Sequence, residues 1–384
     1  MQVINSIADL RELARRRTPR SIFEYVDRGS YDELTLQRNR SDFDALQLRQ
    51  RVLVDVSRQN LAREVLGRPA SLPLALAPTG MCGLVHGDGE IHAARAAEAF
   101  GIPFCLSTVS ICSIEDVRQA TSAPFWFQVY VMKDRGYTFE LIDRAGAAGC
   151  PVLMMTVDIP VGALRRRDAK NGLSVPPRLT VGNAINMASR PRWLWSVLTA
   201  KRREFGNLAA AVARSRGVPF AQWVASQFDS SVTWEDLQKI RAHWKGRLII
   251  KGIMDPEDAR QAVALGADAL VVSNHGGRQL DGAPSTISVL PRIVDAVQGR
   301  CEVLLDSGIR SGQDILKAIA LGASATLTGR AYLYGLGALG EAGVAAALQI
   351  MSRELQVSMA LAGCNDIREV GSAILHGRDP GTLR

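Results

Sequence analysis

The sequence predicts an α/β protein built on a (β/α)8 TIM barrel, with a helical extension at its N-terminus and a long insertion after the fourth strand. Three observations carry that prediction. Eight short apolar runs, rich in β-branched residues, alternate with longer amphipathic stretches, as right-handed βαβ units of a parallel sheet require. Each run ends in polar residues or glycine, on the side where barrel enzymes carry their chemistry. No G-x-G-x-x-G follows the first run, which disfavours an open dinucleotide-binding sheet.

The elements follow in order. Residues 1–60 precede the barrel and read as helices, TPRSIFEYVDRG being one. The eight runs are Leu72–Ala77, Phe104–Ser107, Phe125–Tyr130, Val152–Asp158, Leu248–Gly252, Ala269–His275, Val303–Gly308 and Ala325–Gly329. Helix-like segments between them include Gly89–Phe100, Ile114–Ala120, Thr138–Ala148, Asp255–Leu265, Ser285–Val297 and Gly312–Leu321. The long gap from Ile159 to Arg247 holds the insertion. All 384 residues are expected to form one domain, since a barrel of ~250 residues readily carries such additions.

Composition narrows the class. Hydrophobic residues at 47% and charged residues at 22% fit a folded globular chain. Six cysteines (Cys82, Cys105, Cys112, Cys150, Cys301, Cys364) form no C-x-x-C, so reduced thiols are expected, with neither a disulfide framework nor a metal site. The first twenty residues lack the apolar core of a signal peptide, and no apolar stretch reaches the roughly 18 residues of a membrane span. The expectation is a cytoplasmic protein, soluble or peripheral on the inner face of the cell membrane.

The net charge of +8 needs a destination. Residues 178–216, from Arg178 to Arg216, are the densest basic segment. Arg190, Arg192, Lys201, Arg202, Arg203 and Arg214 interleave there with Trp193, Leu194, Trp195, Val197 and Leu198. Such a mixture suits nucleic acid, an anionic membrane surface or a buried interface. Too short to span, the apolar residues fit shallow insertion at a bilayer interface. A lid over the barrel mouth or a subunit contact is the alternative. A nucleic-acid binder would leave the functionalised strand tips without purpose, so no nucleic-acid partner is expected.

Those tips carry the chemistry. The first run ends in Ala77-Pro78-Thr79-Gly80 and the second in Ser107-Thr108. Gln128 and Tyr130 close the third, Thr156 and Asp158 the fourth, and Lys251 the fifth. The sixth ends Ser273-Asn274-His275-Gly276-Gly277-Arg278, where a base near neutral pH stands three residues before an arginine. Such an arginine grips a carboxylate through two parallel hydrogen bonds, so the pair suits proton removal from a small carboxylic acid. The seventh ends Asp306-Ser307-Gly308-Ile309-Arg310 and the eighth Gly329-Arg330, a pattern for phosphate after strands seven and eight. Phosphate, Lys251 and an amide at Gln128 together suit a phosphorylated aromatic cofactor across the barrel mouth.

On these motifs the chain resembles the FMN-dependent L-2-hydroxy-acid dehydrogenase/oxidase family. The resemblance runs from FEYVDRGSYDELTLQRN to LAGCNDI, with SNHGGRQLDG its most specific signature. LALAPTG, LSTVS, WFQVY, TVDIP, IIKGI, DSGIR and TGRA support it separately. It implies FMN as cofactor and oxidation of an L-2-hydroxy acid to the 2-oxo acid. It further implies that His275 accepts the proton, with Asp158 pairing its imidazole, and that Arg278 and Arg165 bind the substrate carboxylate. Tyr25 and Tyr130 would flank the substrate. Pro78, Thr79, Gly80, Ser107, Gln128, Thr156, Lys251 and Ser273 would contact the flavin. Asp306, Ser307, Gly308, Ile309, Arg310, Gly329 and Arg330 would surround its phosphate. Lys251 would offset charge on the reduced ring. Which proton His275 removes, from carbon or from oxygen, stays open.

Departures within the resemblance bear on substrate and acceptor. Gly80 stands where several oxidases have alanine, and Val109 where glycolate oxidase has a large aromatic residue. Gly80 points away from oxygen and towards another acceptor such as a quinone, and Val109 to a wider pocket. L-Lactate is the first expectation for substrate and L-mandelate the second. A homo-oligomer, a tetramer by resemblance, is expected.

Overall fold

In the computed structural model, residues 3–172, 180–214 and 226–377 are described, so Arg178 and Arg216 lie outside the described residues, as does the side chain of Arg214. A two-stranded hairpin, β1 (Arg63–Val65) and β2 (Arg68–Ala70), precedes the barrel strands. These are β3 (Leu74–Leu76), β4 (Cys105–Ser107), β5 (Trp126–Val129), β6 (Val152–Thr156), β7 (Arg247–Ile253), β8 (Ala269–Val272), β9 (Glu302–Leu305) and β10 (Ala325–Thr328). All pair in parallel in the order β3-β10-β9-β8-β7-β6-β5-β4, and a parallel bridge between Leu76 and Phe104 joins the two ends. Each of the eight apolar runs of the sequence contains or overlaps one of these strands.

Side-chain alternation decides what faces where. Ala75, Ala77, Cys105, Trp126, Val152, Met154, Ile249, Ala269, Val271, Leu304, Ala325 and Leu327 form one buried cluster, joined by Val65, Leu66 and Ala70 of the hairpin. That cluster is the barrel interior, and the hairpin closes its lower end. The alternate residues, such as Leu76, Leu106, Phe127, Leu153, Ile250, Leu270 and Leu305, pack outward in the larger cluster shared with the helices. Leu270 is 0% exposed, and truncation to alanine there costs ~2–5 kcal/mol.

Counting two residues on from the last apolar interior position of each strand gives Thr79, Ser107, Gln128, Thr156, Lys251, Ser273, Asp306 and Gly329. The same period that packs the interior therefore aims eight site residues into the upper mouth.

Helix starts follow local chemistry. Ser113 with Asp116, and Ser311 with Asp314, form reciprocal capping boxes, while Asp255 caps a helix whose first residue is Pro256. The predicted segments 89–100 and 114–120 are helices over those same residues. Three helices fill the N-terminal extension: α1 (Ile7–Arg17), α2 (Arg20–Asp27) and α3 (Leu34–Ala45). The insertion contributes the short helices Arg166–Lys170, Val181–Ala188, Pro191–Thr199 and Ala209–Arg214. Among the described residues no helix is long and apolar enough to cross a membrane.

Candidate active site

The backbone after β8 sets the geometry. His275, Gly276 and Gly277 all adopt the left-handed region, with φ of 57°, 68° and 70°. Glycine does so freely, but for histidine it costs ~1–3 kcal/mol and must be held by its surroundings. The holding bonds are visible. The His275 amide donates to Ser273 Oγ (3.1 Å), Gly276 N–H to Ser307 Oγ (2.8 Å) and Gly277 N–H to Asn274 Oδ1 (3.1 Å). Asn274 in turn exchanges two 2.8 Å amide bonds with Asn39 of α3. Ser30 N–H donates to the Gly277 carbonyl (3.0 Å), so the N-terminal extension clamps the loop from above.

His275 Nδ1 lies 2.9 Å from Asp158 Oδ1, which fixes the N–H on Nδ1 and leaves Nε2 as the free acceptor. Burial pushes the imidazole pKa below its usual value; Asp158 works upward against it, and Lys251 and Arg165 reinforce the fall. His275 is thus neutral, as a general base must be. Burial works to raise the Asp158 carboxyl, but His275 and Lys251 outweigh it and hold it below the usual range. Asp158 reaches this position because residue 252 is glycine, at a β7 bulge with φ of 112°.

Beside this pair sit two arginines. The Arg278 guanidinium stacks over the Tyr25 ring at 4.7 Å and donates to the carbonyls of Tyr25 and Arg28. Burial, then the neighbouring Arg165, push its pKa down to about 10. Of three consecutive arginines, Arg165 is the one beside Arg278, its Nε reaching the Arg278 carbonyl at 3.5 Å. Arg166 instead pairs with Asp32 and stacks on Tyr31. Tyr130 meets Phe228 edge-on at 5.8 Å. Burial, then Asp158, raise its phenol pKa.

The remaining tips form a cradle. Gln128 Oε1 accepts from Ser107 Oγ (3.0 Å) and the Thr108 amide (3.3 Å). Gln128 Nε2 and Thr156 Oγ1 are buried and find no partner among the described residues. Such orphans cost ~1–3 kcal/mol each unless something satisfies them. Lys251 Nζ stands between Ser273 Oγ (2.7 Å) and Asp306 Oδ2 (3.0 Å). Burial works to lower its pKa, yet Asp306 and Asp158 raise it overall, so it stays charged. Thr79 Oγ1 contacts Tyr332 OH and Cys82 Sγ, and a Cβ on Gly80 would meet Val109 Cγ2 at 2.6 Å.

At the far end a half-buried Arg310 stands near the buried Arg330. Burial lowers both pKa values, that of Arg330 to about 9 with Arg310 adding to the fall. Arg330 donates to the carbonyls of Val26 (2.8 Å), Gly276 (2.7 Å) and Arg28 (3.0 Å), and Arg310 to that of Ile309 (2.9 Å). Two adjoining cations held by carbonyls suit an anion, with Gly308 and Gly329 beside them in the chain. Polar orphans at one end and paired cations at the other fit FMN, with Pro78, Thr79 and Gly80 between. The expected phosphate set divides: Asp306 holds Lys251, and Ser307 bridges Gly276 N–H to Asp306 Oδ1 (2.7 Å).

Sequence reasoning missed Asn39, Phe228 and Gly252. Only Gly252 carried a signal, since a glycine within a strand marks a bulge or a close approach. In the insertion, two expectations are corrected. Trp193 turns inward and donates from Nε1 to the Leu84 carbonyl (2.8 Å), because one face of this helix must cover residues 84–87. Lys201 and Arg202 both pair with the buried Asp116, so their charge is already partnered. The exposed apolar face instead comprises Val181, Ile185, Trp195 and Leu198.

A model of the FMN-dependent dehydrogenase family matches residues 14–377. The chain is 48% identical over 380 residues to an L-lactate dehydrogenase of Caulobacter vibrioides strain NA1000, covering 98% of this chain and 99% of that one. A crystal structure of the monotopic membrane protein (S)-mandelate dehydrogenase superposes with a TM-score of 0.92 at 36% identity, covering 98% of this chain and 100% of that one. A soluble mutant of the membrane-associated (S)-mandelate dehydrogenase from Pseudomonas putida gives 0.83 at 37% identity over the same shares. The chain belongs to the FMN-dependent dehydrogenase family and is an FMN-dependent 2-hydroxy-acid dehydrogenase.

Proposed function

We propose that the enzyme oxidises L-lactate to pyruvate and passes the electrons to a membrane quinone. The observation that carries the reaction is the 2.9 Å His275–Asp158 pair beside the stacked Arg278 and its neighbour Arg165. Arg278 and Arg165 grip the carboxylate, Tyr25 and Tyr130 border the substrate, and this orientation selects the L enantiomer. His275 Nε2 takes a proton from the substrate, and Asp158 stabilises the imidazolium that results. Lys251, kept charged by Asp306, offsets negative charge at the cradle. FMN, when bound by the residues around the mouth, supplies two-electron redox chemistry. The whole of 1–384 works as one flavin domain, which we expect to assemble into a homo-oligomer.

One comparison supports lactate over mandelate. The curated relative from Caulobacter vibrioides is an L-lactate dehydrogenase. For the quinone, the support is the outward face of Val181, Ile185, Trp195 and Leu198, with exposed Arg192 and Arg203 nearby, and the likeness to a monotopic membrane protein. The deciding experiment is anaerobic stopped-flow bleaching of the flavin with L-lactate, L-mandelate and glycolate. Fastest bleaching by L-mandelate would reassign the substrate, and bleaching by none would remove the reaction class.

A further inference from the structure

We propose that Asp168 sets the charge of the carboxylate clamp and thereby selects monocarboxylates over dicarboxylates. The inference rests on reading Arg165 and Arg278 as that clamp. Asp168 lies on the short helix Arg166–Lys170, three residues after Arg165, so the two share one side of the chain. It is 9% exposed, with Oδ2 4.0 Å from Arg165 Nη1, and its carboxylate makes no hydrogen bond among the described residues. A carboxylate this buried and this loosely held does little for stability as an ion pair. Its charge nonetheless acts on both arginines. Burial pushes the Asp168 carboxyl up, while Arg278 and then Arg165 pull it down, and Glu24 adds to the rise. Reciprocally, Asp168 favours the charged form of Arg278.

The consequence is a balance of charge. Two guanidiniums and one carboxylate leave one unit of positive charge for the ligand, which one substrate carboxylate neutralises. Of the other ionised groups nearby, Lys251 is matched by Asp306 and Glu24 by Arg20, while Asp158, paired with the neutral His275, adds a negative charge that a second carboxylate would also oppose. A second carboxylate on the substrate would bring uncompensated negative charge into a site shielded from water, where it is poorly screened. Removing the Asp168 charge leaves room for that second carboxylate.

The test compares propionate with malonate, which differ by a carboxylate in place of a methyl group. Binding to the FMN-loaded enzyme is read from the perturbation of flavin absorbance. The wild type should prefer propionate. Asp168→Asn should move the affinity ratio towards malonate by about tenfold or more, and Asp168→Glu should restore it. Asp168→Ser provides a second neutral variant should the asparagine protein not fold. An unchanged ratio in the neutral variants, including equal weakening of both ligands, overturns the inference and leaves Asp168 as a mere orienter of Arg165. Arg278→Lys in the same assay separates the two readings. If it leaves propionate binding intact, the clamp itself is wrong; if it weakens propionate while the neutral variants hold their ratio, only the role of Asp168 falls.

Discussion

The main chain of Gly252 lies against the side chain of Asp158. A Cβ at position 252 would stand 2.7 Å from Asp158 Cβ and 2.9 Å from its carboxyl carbon. Gly252→Ala should therefore displace Asp158 from His275, besides straining a backbone at φ of 112° by ~1–3 kcal/mol. The expected result is a flavin-loaded protein of lower thermal stability whose reduction by substrate is slowed at least ~tenfold. Rapid-reaction kinetics with a thermal melt would check it; wild-type reduction would mean that Asp158 tolerates the shift.

His275→Gln should retain bound FMN, because no cradle residue is touched, and lose ~10²–10⁴-fold in flavin reduction. Single-turnover reduction under nitrogen measures this directly. Near-normal reduction would take the base role away from His275.

Arg278→Lys preserves charge but cannot reproduce a planar two-pronged grip or the stack on Tyr25. The Michaelis constant should rise more than turnover falls. Unchanged values for both would mean that Arg165 alone holds the carboxylate.

The pH profile follows from the sign of the His275 shift. Its pKa in the folded protein lies below 6.5, so between 6.5 and that lower value the unfolded chain binds more protons than the folded one. The stability due to neutral burial is full above 6.5 and is lost as pH falls through this window. Activity needs the neutral base, so the rising limb of kcat/KM should lie below pH 6.5. A limb centred above that value would show that Asp158 outweighs burial.

The insertion makes a separate prediction. Wild-type protein should sediment with anionic liposomes at low salt and be released at high salt. Trp195→Ser with Leu198→Ser, which removes side chains 72% and 51% exposed, should abolish that binding while activity with a soluble dye survives. Retention of binding would place the contact elsewhere.

Much of this was legible in the chain because period-two alternation writes a barrel interior and its tips in one code. Ile249 and Lys251, or Val271 and Ser273, reveal a packed interior and a site residue in the same stretch. His275 and Arg278 were legible because their chemistry is local to one loop. Less visible were pairings between distant segments, such as Asn39 with Asn274, 235 residues apart, or Arg202 with Asp116, 86 apart. The hairpin of β1 and β2 was invisible too, since a three-residue strand holding a proline carries no period. Helical periodicity gathered Trp193 and Trp195 into one apolar segment but could not say which faces protein and which faces outward.

The bonds from Arg330 to Val26 and Arg28 span 304 and 302 residues. During synthesis at ~5–20 residues per second, α2 with its Tyr25 leaves the ribosome long before the partner that anchors it exists. The contacts that tie α2 to Arg330 therefore cannot form until the far end of the barrel, next to β10, has been made.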